Sequence, residues 1–405
     1  MTRFEEHFRM RENDIVEYVK EKLDFFGPNE LLRCEEIGDG NINYVFRVTS
    51  MDSTRSLIVK HADIADRSCG DPLAVDRNRI EANALMHQGV LSPGMVPKVY
   101  HFDPVMCCLV MEDLSDHKIL RDELIDYRTF DNLGRDLAEF LVDTLLPSTD
   151  MIMDQLEKKR LVKEYINPEL CEITERLVFT EPFLNGRGKN SLTALDEGFA
   201  DRELYSDKSL HLEAAKLKMD FLTKAQSLIH GDLHTGSIFI KEGSVKVIDP
   251  EFAFFGPMGY DVGNIIANLF FPLIRATVDR SGDENKEIFI YWVQDTIREF
   301  IESFRLGFLL KLKVNAREPF AEDENVREWY LEEVLKDSAG IAGLELIRRT
   351  IGAAKVKDIT TIKDEGERAM AERLCISLGK ELILSRDRIM DSDSYFEAFK
   401  RAQSH

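Results

Sequence analysis

Across 405 residues there is no CxxC pair, no apolar run long enough to cross a bilayer and no excess of basic charge, and each absence closes off a class of function. The six cysteines, Cys34, Cys69, Cys107, Cys108, Cys171 and Cys375, are too scattered for a dense disulfide framework, so free thiols in a reduced cytosolic setting are expected. The most apolar segment, Ile265 to Ile274, is too short for a membrane span and carries Asn268 and Pro272; it reads as a core helix. The opening Met1-Thr-Arg-Phe-Glu-Glu lacks the apolar core of a secretory signal, so export is not expected. Against 53 Lys and Arg stand 74 Asp and Glu, a formal net charge of −21, which disfavours non-specific binding to nucleic acid or to an anionic membrane. No internal repeat is present, and only the last few residues suggest disorder.

What is present suits two lobes, since the chain is long for one domain and 44% of its residues are hydrophobic. Ile15, Tyr18, Val19 and Leu23 recur at helical spacing behind Asn13 and Asp14 as candidate caps, predicting an amphipathic helix that stops at Gly27-Pro28. Tyr44-Val-Phe-Arg-Val48 and Ser56-Leu-Ile-Val-Lys60 read as hairpin strands around the turn Thr49 to Arg55. With Pro97 to Tyr100 and Cys107 to Met111 as further strands, and Asp76 to Gln88 as a helix, a small five-stranded lobe is expected. Beyond Met111-Glu-Asp-Leu114 the pattern is mostly helical to Phe221, broken by a polar stretch from Asn185 to Asn190. Helical patterning resumes from Tyr260 through Leu312, then over Val326 to Leu335, Gly343 to Ala354 and Glu367 to Leu384.

Candidate chemistry concentrates in two short segments, His230-Gly-Asp-Leu-His-Thr-Gly-Ser237 and Val247-Ile-Asp-Pro-Glu251. Asp232 follows the apolar Ser227-Leu-Ile229, where a carboxylate is placed to orient a hydroxyl or take its proton. His230 and His234 are four apart, but Gly231 and Asp232 between them are poor helix material and no zincin glutamate accompanies them, so His230 reads as a loop brace. Asp249 and Glu251 lie two apart after the strand-like Ser244 to Ile248, and in a bent loop both carboxylates can face one hard cation such as Mg²⁺. Upstream, Gly38 and Gly40 in Ile37-Gly-Asp-Gly-Asn-Ile-Asn-Tyr-Val-Phe46 would let backbone N–H groups approach phosphate, with Asn43 in place of a third glycine; an ordinary hairpin turn fits the same string. Lys60 ends an apolar strand and Glu81 lies in the following helix, where the pair could serve nucleotide phosphates or be a solvated surface pair. Glu112, Asp113 and Leu114 leave the last strand as a hinge whose backbone could meet an adenine edge.

In order, the glycine turn, Lys60, Glu81, the hinge, Asp232 and Asp249 resemble the aminoglycoside-phosphotransferase branch of the protein-kinase-like superfamily. The wording of the two motif segments, together with Asp249-Pro-Glu-Phe-Ala-Phe-Phe-Gly-Pro-Met258 and Gly343-Leu-Glu-Leu-Ile-Arg-Arg-Thr-Ile-Gly352, is similar to the methylthioribose kinases. The resemblance implies an α+β, two-lobed kinase fold: an N-lobe over 1–114 with a small antiparallel β-sheet, and a larger, mainly helical C-lobe over 115–405. It implies ATP and Mg²⁺ as cofactors, with Asn43, Lys60, Glu112, Asp113 and Leu114 on the nucleotide and Asp249, Pro250 and Glu251 on the Mg-nucleotide. It implies Asp232 as the catalytic residue, contacting substrate with Arg348 and Arg349, and a homodimer with 5-methylthioribose as its small-molecule partner. Ser237 stands where the wider fold usually has a metal-binding Asn, a departure that the methylthioribose kinases share. Consecutive helical residues point about 100° apart, so at most one arginine, Arg348 first, is expected to face the site squarely unless the helix ends there. Other small-alcohol kinases of the fold, acting on an aminoglycoside, choline or homoserine, and a non-catalytic nucleotide-binding scaffold are the competing expectations.

Overall fold

The computed structural model describes residues 3–37, 43–62, 75–193, 198–283 and 285–404. Gly38 and Gly40 of the expected glycine turn lie outside the described residues. The chain forms two compact units. One comprises Met1–His117 with Lys246–Ala253, and the other Lys118–Val245 with Phe254–His405. The first division thus falls after His117 rather than after Leu114, and the short segment carrying Asp249 and Glu251 clusters with the strands although it follows far later in the chain.

In the first unit, β1 (Leu32–Glu36), β2 (Tyr44–Ser50), β3 (Ser56–His61), β4 (Val99–Asp103) and β5 (Cys108–Glu112) form an antiparallel sheet in the order β1-β2-β3-β5-β4. Period-two alternation decides which side chain goes where. Tyr44, Phe46 and Val48 of β2 and Leu57 and Val59 of β3 share a buried cluster with Ile15, Tyr18 and Val19 of helix α1 (Glu12–Lys22). Ile58 and Lys60 therefore point to the opposite face, where α2 (Asp76–Leu91) supplies Ile80, Glu81 and Leu85 as buried residues. Asn78 of α2 ties that helix to the sheet by donating to Lys60 O at 3.3 Å and Cys107 O at 2.9 Å. The cap of α1 differs from expectation: Arg11 is the N-cap and Asp14, at the third helical position, accepts from Arg11 N at 2.9 Å, because an acid at that position can satisfy the cap amide. The helix also stops at Lys22, before Gly27.

The second unit is mainly helical. Its helices are α3 (Leu120–Ile125), α4 (Leu133–Leu145), α5 (Gln155–Glu164), α6 (Pro168–Leu177), α7 (Glu181–Leu184), α8 (Lys208–Thr223), α9 (Gly259–Val278), α10 (Asn285–Asn315), α11 (Glu324–Ile351), α12 (Lys357–Thr360), α13 (Glu365–Ser385) and α14 (Ser392–Gln403). Short strands frame the motif loop: β6 (Lys118–Ile119) pairs with β8 (Ile238–Lys241), β7 (Ser227–Ile229) pairs with β10 (Phe254–Gly256), and β9 (Ser244–Val247) follows β8 after the turn at Gly243. Asn185 ends α7 in the left-handed region, as the polar break there predicts. Among the described residues no helix is long and apolar enough to cross a membrane. The apolar segment around Ile265 to Ile274 is instead the buried middle of α9.

Two helices expected over Val326 to Leu335 and Gly343 to Ala354 are one continuous helix, α11. The intervening Ser338-Ala339-Gly340 interrupts apolar periodicity and reads as a break, but Ser338 lies against Gly259 and Gly263 of α9 and Gly340 against Leu217 of α8, where close packing needs small residues. A Cβ built at Gly263 would come 2.5 Å from Ser338 O and 2.8 Å from Ala342 N, both backbone atoms that cannot swing aside. Gly263→Ala is therefore expected to destabilise the chain by about 1–3 kcal/mol, seen as a lower urea midpoint for loss of helical circular dichroism.

Candidate functional site

Lys60 gathers the acidic residues of the first unit. Its ammonium donates to Glu81 Oε1 at 2.9 Å and makes a short contact with Asp249 Oδ1, although Asp249 is 189 residues away in sequence. Glu251 joins through Asn43, whose Nδ2 donates to Glu251 Oε2 at 2.9 Å, while Asn43 Oδ1 accepts from Arg77 Nε at 3.2 Å and Nη2 at 3.0 Å. Oxygen atoms of Glu81, Asp249 and Glu251 lie within 4.8 Å of one another. Asp249 sits at φ 70°, in the left-handed region, immediately before Pro250. A residue preceding proline normally adopts extended backbone, so the surrounding contacts hold this one against its preference.

Charge in this cluster is unbalanced. Burial and the neighbouring Asp249 carboxylate push Glu251 up to about 7, against the pull of Lys60 and Arg77. Burial likewise pushes Glu81 up to about 8, while Asp249 and Glu81 outweigh the cost of burying the Lys60 ammonium and hold it charged. Three carboxylates with oxygen atoms this close form an all-oxygen donor set, which suits Mg²⁺. Asp249 and Glu251 fit that ion, with Lys60 contacting both Asp249 and Glu81 beside it.

The expected hinge occupies the end of β5. Glu112 Oε2 accepts from Lys98 N at 3.0 Å, and Asp113 Oδ2 accepts from Arg47 Nε at 3.1 Å, so both side chains are spent on structure and Leu114 is buried.

The motif loop of the second unit is held from α9. Asp261, in the first turn of that helix, accepts from His230 N at 2.6 Å and from Gly231 N at 3.0 Å. His230 Nδ1 in turn accepts from Asp232 N at 3.3 Å, which makes His230 part of the loop's internal frame. Ser237 Oγ donates to Asp232 O at 3.2 Å and pairs with His234 Nδ1 at 3.1 Å.

Asp232 keeps a partly exposed carboxylate (29%) among cationic groups. His234 Nε2 is 3.5 Å from Oδ2, while Arg348 Nη2 and Arg349 Nη2 are each 3.4 Å from Oδ1. Burial opposes the charge on Asp232, but His234 and the two guanidiniums outweigh it and hold the carboxyl well below its ordinary range. Burial and Arg349 push His234 downward against the pull of Asp232. Both arginines reach Asp232, the outcome left open for a pair placed where the helix ends. They lie near the C-terminal end of α11, and their long side chains converge on one buried carboxylate, Glu345, three and four residues earlier on the same helix.

Sequence reasoning missed Arg77, Asp261, Asn268 and Glu345. The available signal for Asp261 was an acid in the first turn of an otherwise apolar helix, and for Glu345 its spacing to the arginine pair.

A family model described as the phosphotransferase enzyme family matches residues 33–287. A methylthioribose kinase of Geobacillus sp. (strain WCH70) is 42% identical over 370 residues, covering 91% of this chain and 90% of that protein. A methylthioribose kinase of Geobacillus thermodenitrificans (strain NG80-2) is 41% identical over 381 residues, covering 93% of each. Another, of Pectobacterium atrosepticum, is 38% identical over 389 residues, covering 94% of this chain and 95% of its own.

The raised Glu251 carboxyl carries a pH signature. Its folded pKa of about 7 lies above the ordinary 4.5, so folding takes up a proton between those values and stability falls as pH rises through that window. Glu251→Gln is expected to flatten the decline in urea midpoint between pH about 5 and 7, measured in a metal chelator.

Proposed function

The chain belongs to the methylthioribose kinases of the phosphotransferase enzyme family, and we propose that it phosphorylates the 1-hydroxyl of 5-methylthioribose with ATP, giving 5-methylthioribose 1-phosphate for methionine salvage. The observation that carries this reading is the 38–42% identity to methylthioribose kinases along nine-tenths or more of both chains. The Lys60 cluster and the Asp232 cluster supply chemistry that the reaction requires.

In this reading the two clusters divide the work. Backbone groups of Glu112, Asp113 and Leu114 take the adenine edge, Asn43 assists at the nucleotide, and Lys60, its rotamer set by Glu81, offsets phosphate charge. Asp249 and Glu251, on either side of Pro250, would hold Mg²⁺, which when bound would neutralise charge on the phosphates. Asp232, aligned by His230 and Ser237, orients the sugar hydroxyl and accepts its proton. The hydroxyl oxygen forms a bond to the γ-phosphorus as the bond from that phosphorus to the β–γ bridging oxygen breaks, leaving ADP. Arg348 and Arg349 contact the sugar and stabilise charge on the group in transfer.

The protein works in the cytoplasm as a homodimer in this proposal. Leu306, Leu310 and Val314 expose an apolar stripe at four-residue spacing along α10, which supports a subunit contact there. Light scattering is expected to give about twice the 46.6 kDa chain mass; the chain mass alone would remove the dimer.

A coupled ATP assay over methylthioribose, ribose, choline, homoserine and an aminoglycoside tests the substrate. Methylthioribose is expected to be turned over with the highest kcat/KM, and no turnover of it at any concentration overturns the reading. For the mechanism, Asp232→Ala is expected to lower kcat at least about 10²-fold with ATP affinity nearly intact. Near-normal kcat would take Asp232 out of its role.

A further inference from the structure

Glu345 is completely buried, yet it carries a carboxylate in the middle of a packed helix interface. Such a group is costly to bury unless several donors meet it. Here they do: Arg348 Nε is in short contact with Oε2, Arg349 Nε donates to Oε1 at 3.0 Å, and Asn268 Nδ2 donates to Oε1 at 3.3 Å. The Nη2 groups of the same two arginines stand 3.4 Å from Asp232 Oδ1. That is long for an arginine–carboxylate pair, which closes to about 2.7–2.9 Å when unhindered. Both guanidiniums therefore have Glu345, not Asp232, as their main partner.

We propose that Glu345 is a positioning residue for the transfer reaction, engaging both arginines through their Nε–H groups so that their outer N–H groups stay aimed at the sugar and neither closes fully on Asp232. A guanidinium offers five N–H donors in a rigid fork, so committing one edge to Glu345 leaves the other edge directed rather than free to rotate. Asn268 extends the arrangement to the motif loop, because its Oδ1 accepts from Thr235 Oγ1 at 3.3 Å and from Arg121 Nη2 at 3.1 Å. The orientation of the arginine pair is in this way tied to the loop that carries Asp232. Without Glu345, two buried guanidiniums would share Asp232 as their anion, and the carboxylate that orients the hydroxyl would be drawn into a tight ion pair.

This inference builds on the assignment of methylthioribose as substrate, and the wild-type enzyme separates the two. If the wild type fails to phosphorylate methylthioribose, the substrate assignment falls and Glu345 is not the cause. With a competent wild type, Glu345→Gln, which keeps the shape and removes the charge, is expected to raise KM for methylthioribose at least about tenfold and to lower kcat, while KM for ATP changes less than about twofold. A merely structural role would reduce the folded fraction, lowering apparent kcat and leaving both KM values in place. Should the Gln variant fail to fold, Glu345→Asp retains the charge but shortens its reach by one methylene, and a rise of at least about threefold in KM for methylthioribose is expected. An unchanged KM for methylthioribose in a folded variant overturns the proposal.

Discussion

The buried ammonium of Lys60 is the constraint on which the first unit depends. Side-chain alternation along β3 turns it away from the cluster beneath α1, onto the face covered by α2, where it has little water to solvate it. It must therefore be met by carboxylates, and it is met by Glu81 from α2 and Asp249 from the turn before Pro250. This single group joins strand, helix and a turn that arrives far later in the chain. The bond from Val247 N to Met95 O, at 2.7 Å, and the Asn43–Glu251 pair secure the same segment. The left-handed backbone at Asp249 persists because these contacts over-determine it.

Matching of buried charge also organises the second unit, with the excess reversed. Around Asp232 the arginines supply more positive charge than that carboxylate balances, and Glu345 makes up the difference from within α11. Close helix packing makes this placement firm. Cβ atoms at Gly259 and Gly263 would collide with α11, and one at Gly379 would meet Gly343 O at 2.7 Å. Arginines projecting from α11 are thus carried on backbone that has almost no room to shift. Asp261 extends the same rigid frame to the loop by accepting from His230 N and Gly231 N.

Much of the architecture was legible because it follows local periodicity. Alternation over Tyr44 to Lys60 marked the hairpin of β2 and β3, and the apolar run from Ile265 marked the core of α9. The reading failed where packing overrides local signals. Ser338-Ala339-Gly340 has weak helical character, yet α11 continues through it because close packing requires small residues there, Ser338 against α9 and Gly340 against Leu217 of α8. Asn13 and Asp14 looked like caps; Arg11 took the position because Asp14 at the third helical place could bond back to it. For the sites, Lys60, Asp232, Asp249 and Glu251 stood out by residue type at element ends, and Glu81 by its place in the helix that follows Lys60. Glu345 did not, since a glutamate inside a helix resembles any solvated residue until its burial is known.

Residue order alone determined most of the secondary elements, the acidic balance and the motif strings, because each of those depends chiefly on neighbours within a few positions. Only folding decided which charges meet. Asn43 finds Glu251 across 208 residues, and Arg348 and Arg349 both find Asp232, at separations of 116 and 117. Such pairings arise from the cost of burying an ion without a partner, and that cost is set by tertiary packing rather than by any local pattern.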